Sequence, residues 1–112
     1  MLDLHQNQFS AFYSIPNSKH LDSLILGFNR LFTLENLDRA PNMTIVDLHN
    51  NKIQAFPEGL ADLRQLKTLK ISNNDLADIS PRLSLLQHLV RINIEGNPLR
   101  SIKPAMRGAG AE

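Results

Sequence analysis

Two Asp-x-His frames, Asp3/His5 and Asp47/His49, are the residues of this chain whose types and spacing could do chemistry. On an extended segment, side chains two apart point the same way, so each frame sets a carboxylate beside an imidazole. That pairing is the start of a metal site. Zinc, however, needs three or four donors converging at about 2.0–2.2 Å, and each frame supplies two. The remaining histidines, His20 and His88, fall in other segments and are expected at the surface. The chain has no cysteine. Ser10, Ser14 and Ser72 have no base at a recognisable spacing, and no glycine-rich phosphate loop occurs. The expectation is a non-enzymatic chain without a metal or cofactor.

The elements that would position these residues announce themselves as a repeat. Asn7, Asn29, Asn51, Asn74 and Asn97 recur at intervals of 22, 22, 23 and 23 residues. Each sits in the same apolar frame, clearest in Leu66, Leu69, Ile71, Asn74, Leu76 and Ile79. Met43, Val46, Leu48, Asn51, Ile53 and Phe56 match it position for position, as do Leu21 to Leu34 around Asn29 and Leu89 to Ile102 around Asn97. The first copy is clipped: Leu2, Leu4, Asn7, Phe9 and Phe12 lack the opening apolar residue. Apolar residues two apart define a short strand with one inward face. Strands from successive repeats would stack at ~4.8 Å as a parallel sheet, which puts the two Asp-x-His frames ~10 Å apart. The asparagine amide, with donors and an acceptor, can satisfy backbone groups where the chain leaves the sheet. Replacing one with alanine is expected to cost about 1–3 kcal/mol.

The return segments come in two kinds. After Asn7 and Asn29 the apolar spacing is three (Phe9, Phe12, Ile15; Leu31, Leu34, Leu37, Ala40, Met43), which predicts tight 3₁₀-like turns. After Asn51 and Asn74 one extra residue appears, and Pro57 and Pro81 mark the expected starts of short helical segments.

A chain of 112 residues holds one domain. The repeats begin near 1, 21, 43, 66 and 89 and give a repeat domain over 1–103, with 104–112 an incomplete return segment or flexible tail. Neither end carries a polar capping segment of the kind solenoids use, so both ends are expected to be cut or to pair end to end with another copy. Without cysteine, a secretory signal or a long apolar run, the expected setting is cytoplasmic, with no membrane contact. The Asn42-Met43-Thr44 glycosylation pattern then reads as a plain loop before a strand. Net charge is +1; residues 1–51 carry three basic and five acidic groups, residues 52–111 nine and five. The basic groups are spread out and aromatic residues are few, so no nucleic acid is expected as a partner.

These frames resemble the leucine-rich-repeat superfamily over essentially the whole chain. The resemblance implies an α/β solenoid, a curved right-handed superhelix with a parallel sheet on its concave face and short 3₁₀ or α segments on the convex side. The repeats are similar to the short intracellular repeats of scaffold and phosphatase-regulator proteins. Residues 45–53, 71–76 and 94–102 look like the last repeats of the family of leucine-rich-repeat-containing protein forty. In that family the Glu95-to-Arg100 type of run leads into a closing C-terminal helix, whereas here residues 107–110 read Arg-Gly-Ala-Gly at the place where the helix would start. The family offers no catalytic residues.

On such a fold, residues between the inward pairs line the concave face. One column is Asp3, Ile25, Asp47, Lys70 and Asn93; the next is His5, Gly27, His49, Ser72 and Glu95; a flanking column is Met1, Ser23, Ile45, Thr68 and Arg91. Ile25, Ile45 and Phe28 form an apolar centre, with a dent at Gly27. The expected function is a protein-interaction module that binds a protein partner through this face. The alternative is a truncated structural piece of a longer scaffold or phosphatase-regulator-like protein without independent activity.

Overall fold

The inward pair of each frame becomes strand because burying it on one side leaves the intervening side chains free on the other. The computed structural model describes residues 1–8, 10–12 and 18–99. Strands β1 (Leu2–Asp3), β3 (Ser23–Ile25), β5 (Ile45–Asp47), β6 (Thr68–Lys70) and β7 (Arg91–Asn93) form one parallel sheet in the order β1-β3-β5-β6-β7. β2 (Ala11–Phe12) and β4 (Thr33–Leu34) pair in parallel as a second, two-stranded sheet. In the main sheet Leu2, Leu24, Val46, Leu69 and Ile92 stand side by side. Register and sequence period are therefore one quantity: each repeat adds one strand, and the chain returns to the same height each time.

The core runs along the solenoid. Leu24, Leu26, Val46, Leu48, Leu69 and Ile71 are fully buried behind the sheet, against Leu31, Met43, Ile53, Leu60, Leu66 and Leu76. The outermost frames are looser, with Leu2, Leu4, Leu89 and Leu99 only partly buried. Phe9, Ile15, Ile102 and the segment 104–112 lie outside the described residues.

All helical segments among the described residues are 3₁₀: η1 (Leu37–Arg39), η2 (Glu58–Asp62) and η3 (Pro81–Leu85). Pro81 opens η3 as anticipated, and the Ser80 hydroxyl accepts the Arg82 N–H at 3.2 Å. Pro57 sits one residue earlier, as the extended cap of η2. The spacing of three after Asn29 is only partly 3₁₀. Residues 33–34 extend to pair with β2, and the 3₁₀ turn starts at Leu37. Pairing with a neighbouring extended segment satisfies those backbone groups where a continuous 3₁₀ path would leave poorer hydrogen bonds.

The asparagine ladder does more than close its own turn. The Asn51 amide donates to Leu48 O in its own repeat and to Leu26 O in the preceding one, both at 3.0 Å, while its Oδ1 accepts Leu31 N–H at 3.0 Å. Asn74 repeats the arrangement with Ile71 O, Leu48 O and Ile53 N–H. At one end Asn97 accepts both Leu76 N–H and Asn74 N–H. Each of these three amides thus stitches two repeats together. The ladder is buried at Asn29, Asn51 and Asn74, partly buried at Asn97 and exposed at Asn7, so its weight falls on the middle repeats.

Candidate interaction surface

The register delivers the expected columns. Asp3, Ile25, Asp47, Lys70 and Asn93 are laterally paired, as are Ser23, Ile45, Thr68 and Arg91. The third column continues past the strand ends, where Gln6, Phe28, Asn50 and Asn73 donate to the carbonyls of Gly27, His49, Ser72 and Glu95. Side chains on this face are unequal. Asp3, His5, Phe28, Ile45, Arg91 and Glu95 are exposed; Ile25, His49, Lys70, Ser72 and Asn93 are partly buried.

Asp47 occupies its expected column without lining the face as an open side chain. Its side chain is buried, and its Oδ1 accepts from His49 twice, from the backbone N–H at 3.2 Å and from ring Nδ1 in a short contact. A carboxylate so placed cannot face a partner. It fixes the imidazole instead, and with the proton on Nδ1 it leaves Nε2 as an acceptor. Nor is Gly27 an open dent: a Cβ there would stand 2.5 Å from His49 Cε1, so the imidazole lies over the glycine. Asp3 and His5 repeat the pairing at 2.6 Å in an exposed setting. The His5 side-chain hydrogen bond, helped by the His5 backbone N–H, holds the Asp3 carboxyl below the usual carboxylate range. Among the described residues, no three His, Cys, Asp or Glu side chains come together in a way that could hold a metal ion.

The face also carries a row of left-handed backbone positions. In every repeat the residue before the ladder asparagine adopts a left-handed backbone: Gln6, Phe28, Asn50 and Asn73 at φ 56–58°, and Gly96 at 78°. Asn50, Asn73 and Gly96 are the residue types that tolerate it, which was the available signal. Asn73 donates to Asn50 Oδ1 at 3.4 Å, and a Cβ at Gly96 would fall 2.1 Å from Asn73 Oδ1. Gln6 and Phe28 are the exceptions, and Phe28 is the bulkier. A bulky side chain in this conformation costs about 1–2 kcal/mol, yet Phe28 is 48% exposed, so burial does not offset the strain. Its ring meets the His49 imidazole edge-on, with centroids 4.7 Å apart and planes at 83°. Phe28 and His49 therefore form an aromatic pair past the strand ends, while Ile25 and Ile45 stand diagonally on neighbouring strands of the same face.

On the convex side a groove of about 440 Å³ lies between η2 and η3, lined by Asp62, Arg64, Arg82, Leu85 and His88 among others. Arg82 is already tied to Asp62 and Glu58 across the repeats.

A parallel sheet built from one strand per repeat and laced by buried asparagines defines a leucine-rich-repeat solenoid. The Leucine rich repeat family model matches residues 19–76 and 41–99, and the chain belongs to that family. It is 32% identical over 108 residues to human leucine-rich repeats and immunoglobulin-like domains protein 3, covering 92% of this chain and 10% of that protein. Toll-like receptor 10 of Bos taurus is 37% identical over 60 residues, 54% of this chain and 7% of the receptor. Among solved structures, a leucine-rich-repeat protein of Leptospira interrogans aligns over 95% of this chain and 27% of its own, with 25% identity and a TM-score of 0.72. The chain spans between 5% and 26% of the length of the curated relatives it matches. Leucine-rich repeats typically serve as protein-interaction modules and are generally non-enzymatic. Among the described residues no helix is long and apolar enough to cross a membrane.

Proposed function

We propose that the chain is a non-enzymatic interaction module that binds a protein partner through the concave face of its sheet, with Ile25, Phe28, Ile45 and His49 at the centre of the contact. The observation that carries this reading is Phe28, an exposed aromatic residue held in a left-handed backbone and braced against an imidazole that Asp47 orients. Strain retained without burial is a mark of sites kept for function. Aromatic anchors within a polar rim are the usual form of binding hot spots. Likeness of residues 43–107 to the closing repeats of an intracellular repeat family, together with a cysteine-free sequence, supports a cytoplasmic scaffold setting; the match to a Toll-like receptor points the other way.

The test is paired. Ile45→Glu places a charge at the centre of the face, and Leu85→Glu places one on an exposed convex residue. The partner captured by the wild-type chain is expected to be lost with Ile45→Glu and kept with Leu85→Glu. Loss with Leu85→Glu and retention with Ile45→Glu would move the site to the convex side.

A further inference from the structure

The charged groups on and beside the sheet face divide by strand. Asp3, Asp22 and Asp47 lie on or next to β1, β3 and β5; Lys67, Lys70 and Arg91 lie on or next to β6 and β7. The carboxylates are answered within the chain. Asp3 is bonded by His5, Asp47 by His49, and Asp22 stands 3.8 Å from the amino group of Met1. Among the described residues, Lys67, Lys70 and Arg91 form no ion pair: Asp47, the neighbour of Lys70 across the sheet, is buried and bonded by His49, and Glu95 pairs with neither Lys70 nor Arg91. The unspent binding capacity of the face is therefore for anions, and it lies to one side of the apolar centre.

From this, and resting on the concave-face reading, we infer that the partner presents an extended acidic segment. One of its apolar side chains seats against Ile25 and Ile45, which stand diagonally on neighbouring strands, and a carboxylate reaches Lys70 and Arg91. Register sets the spacing. Lys70 is two strands from Ile25, and Arg91 two strands from Ile45, so apolar and cationic positions are ~10 Å apart. An extended chain covers that distance in about three residues. The recognised pattern is an apolar residue and a carboxylate with about two residues between them.

Selection of displayed random dodecapeptides on the whole chain tests this, followed by affinities of the recovered peptide for three proteins: wild type, the double variant Lys70→Glu/Arg91→Glu, and Ile45→Glu. Recovered peptides are expected to carry Asp or Glu about three residues from an apolar side chain. The double variant should weaken binding about tenfold or more at low ionic strength, and lysines in place of the peptide's acids should restore its affinity for that variant. Peptides without carboxylates, or an affinity unmoved in the double variant while Ile45→Glu abolishes it, would overturn the charge assignment and leave the face reading standing. Insensitivity to all three substitutions would bring down both. Salt-sensitive binding of a single-stranded oligonucleotide of about twenty nucleotides, tighter than that of the peptide, would assign the cations to nucleic acid and overturn the proposal.

Discussion

Asn74→Ala is expected to destabilise the protein by about 3–5 kcal/mol, a large part of the stability of a domain this size. The Asn74 side chain is almost fully buried, at 4% exposure. Its amide donates to Leu48 O at 3.0 Å, Ile71 O at 3.1 Å and Ser72 O at 3.2 Å, and its Oδ1 accepts Ile53 N–H at 3.1 Å. Alanine removes these partners at once and leaves a space walled by Leu48, Ile71 and Ile53. The backbone groups on both sides of a repeat junction are then buried and unpaired. That is why the expected cost exceeds the figure for a single lost hydrogen bond. Asn74→Asp should be nearly as damaging, because an ionised carboxylate accepts and cannot donate to the Leu48 and Ile71 carbonyls. Asn7→Ala is the control: Asn7 is exposed, with Leu4 O and His5 O as its partners among the described residues, and should lose less than about 1 kcal/mol. Urea unfolding of the three variants checks the series. Equal effects at positions 7 and 74 would mean that the ladder does not hold the repeats together.

Phe28→Asn should separate stability from binding. At position 28 asparagine relieves the left-handed strain and enters the row already occupied by Asn50 and Asn73. Loss of the edge-on contact with His49 offsets part of that gain, since such pairs contribute about 0.5–1.5 kcal/mol. Stability should therefore be unchanged or higher by up to about 1 kcal/mol. Affinity for the captured partner should nevertheless fall by about 2 kcal/mol, roughly thirtyfold, as for a central aromatic anchor. A Phe28 kept only for structure predicts the reverse, with lower melting temperature and intact binding.

The repeat period carried the architecture openly, because in a solenoid the distance from Asn51 to Asn74 is also the offset that pairs Thr68 with Ile45. Alternation around each asparagine separated Val46 and Leu48, which are buried, from Ile45, which is exposed. What the sequence concealed depended on side-chain torsion and on contacts between repeats. Asp47 and His49 share a face by spacing alone, but only the folded chain shows the carboxylate turned inward to clamp the imidazole over Gly27. The pair β2–β4 was hidden because two-residue strands are too short to show alternation. Phe28 was legible as an aromatic of the strand face, and its strain was not, since a left-handed backbone announces itself in sequence only when glycine or asparagine occupies it.

The most direct test of concave-face binding is to titrate the isotope-labelled chain with the captured partner and follow its backbone and side-chain resonances. Shifts are expected to cluster at Ile25, Phe28, Ile45, His49, Lys70 and Arg91, on one surface of four neighbouring strands. Shifts confined to Asp62, Arg64, Leu85 and His88, with the strand face silent, would contradict the account.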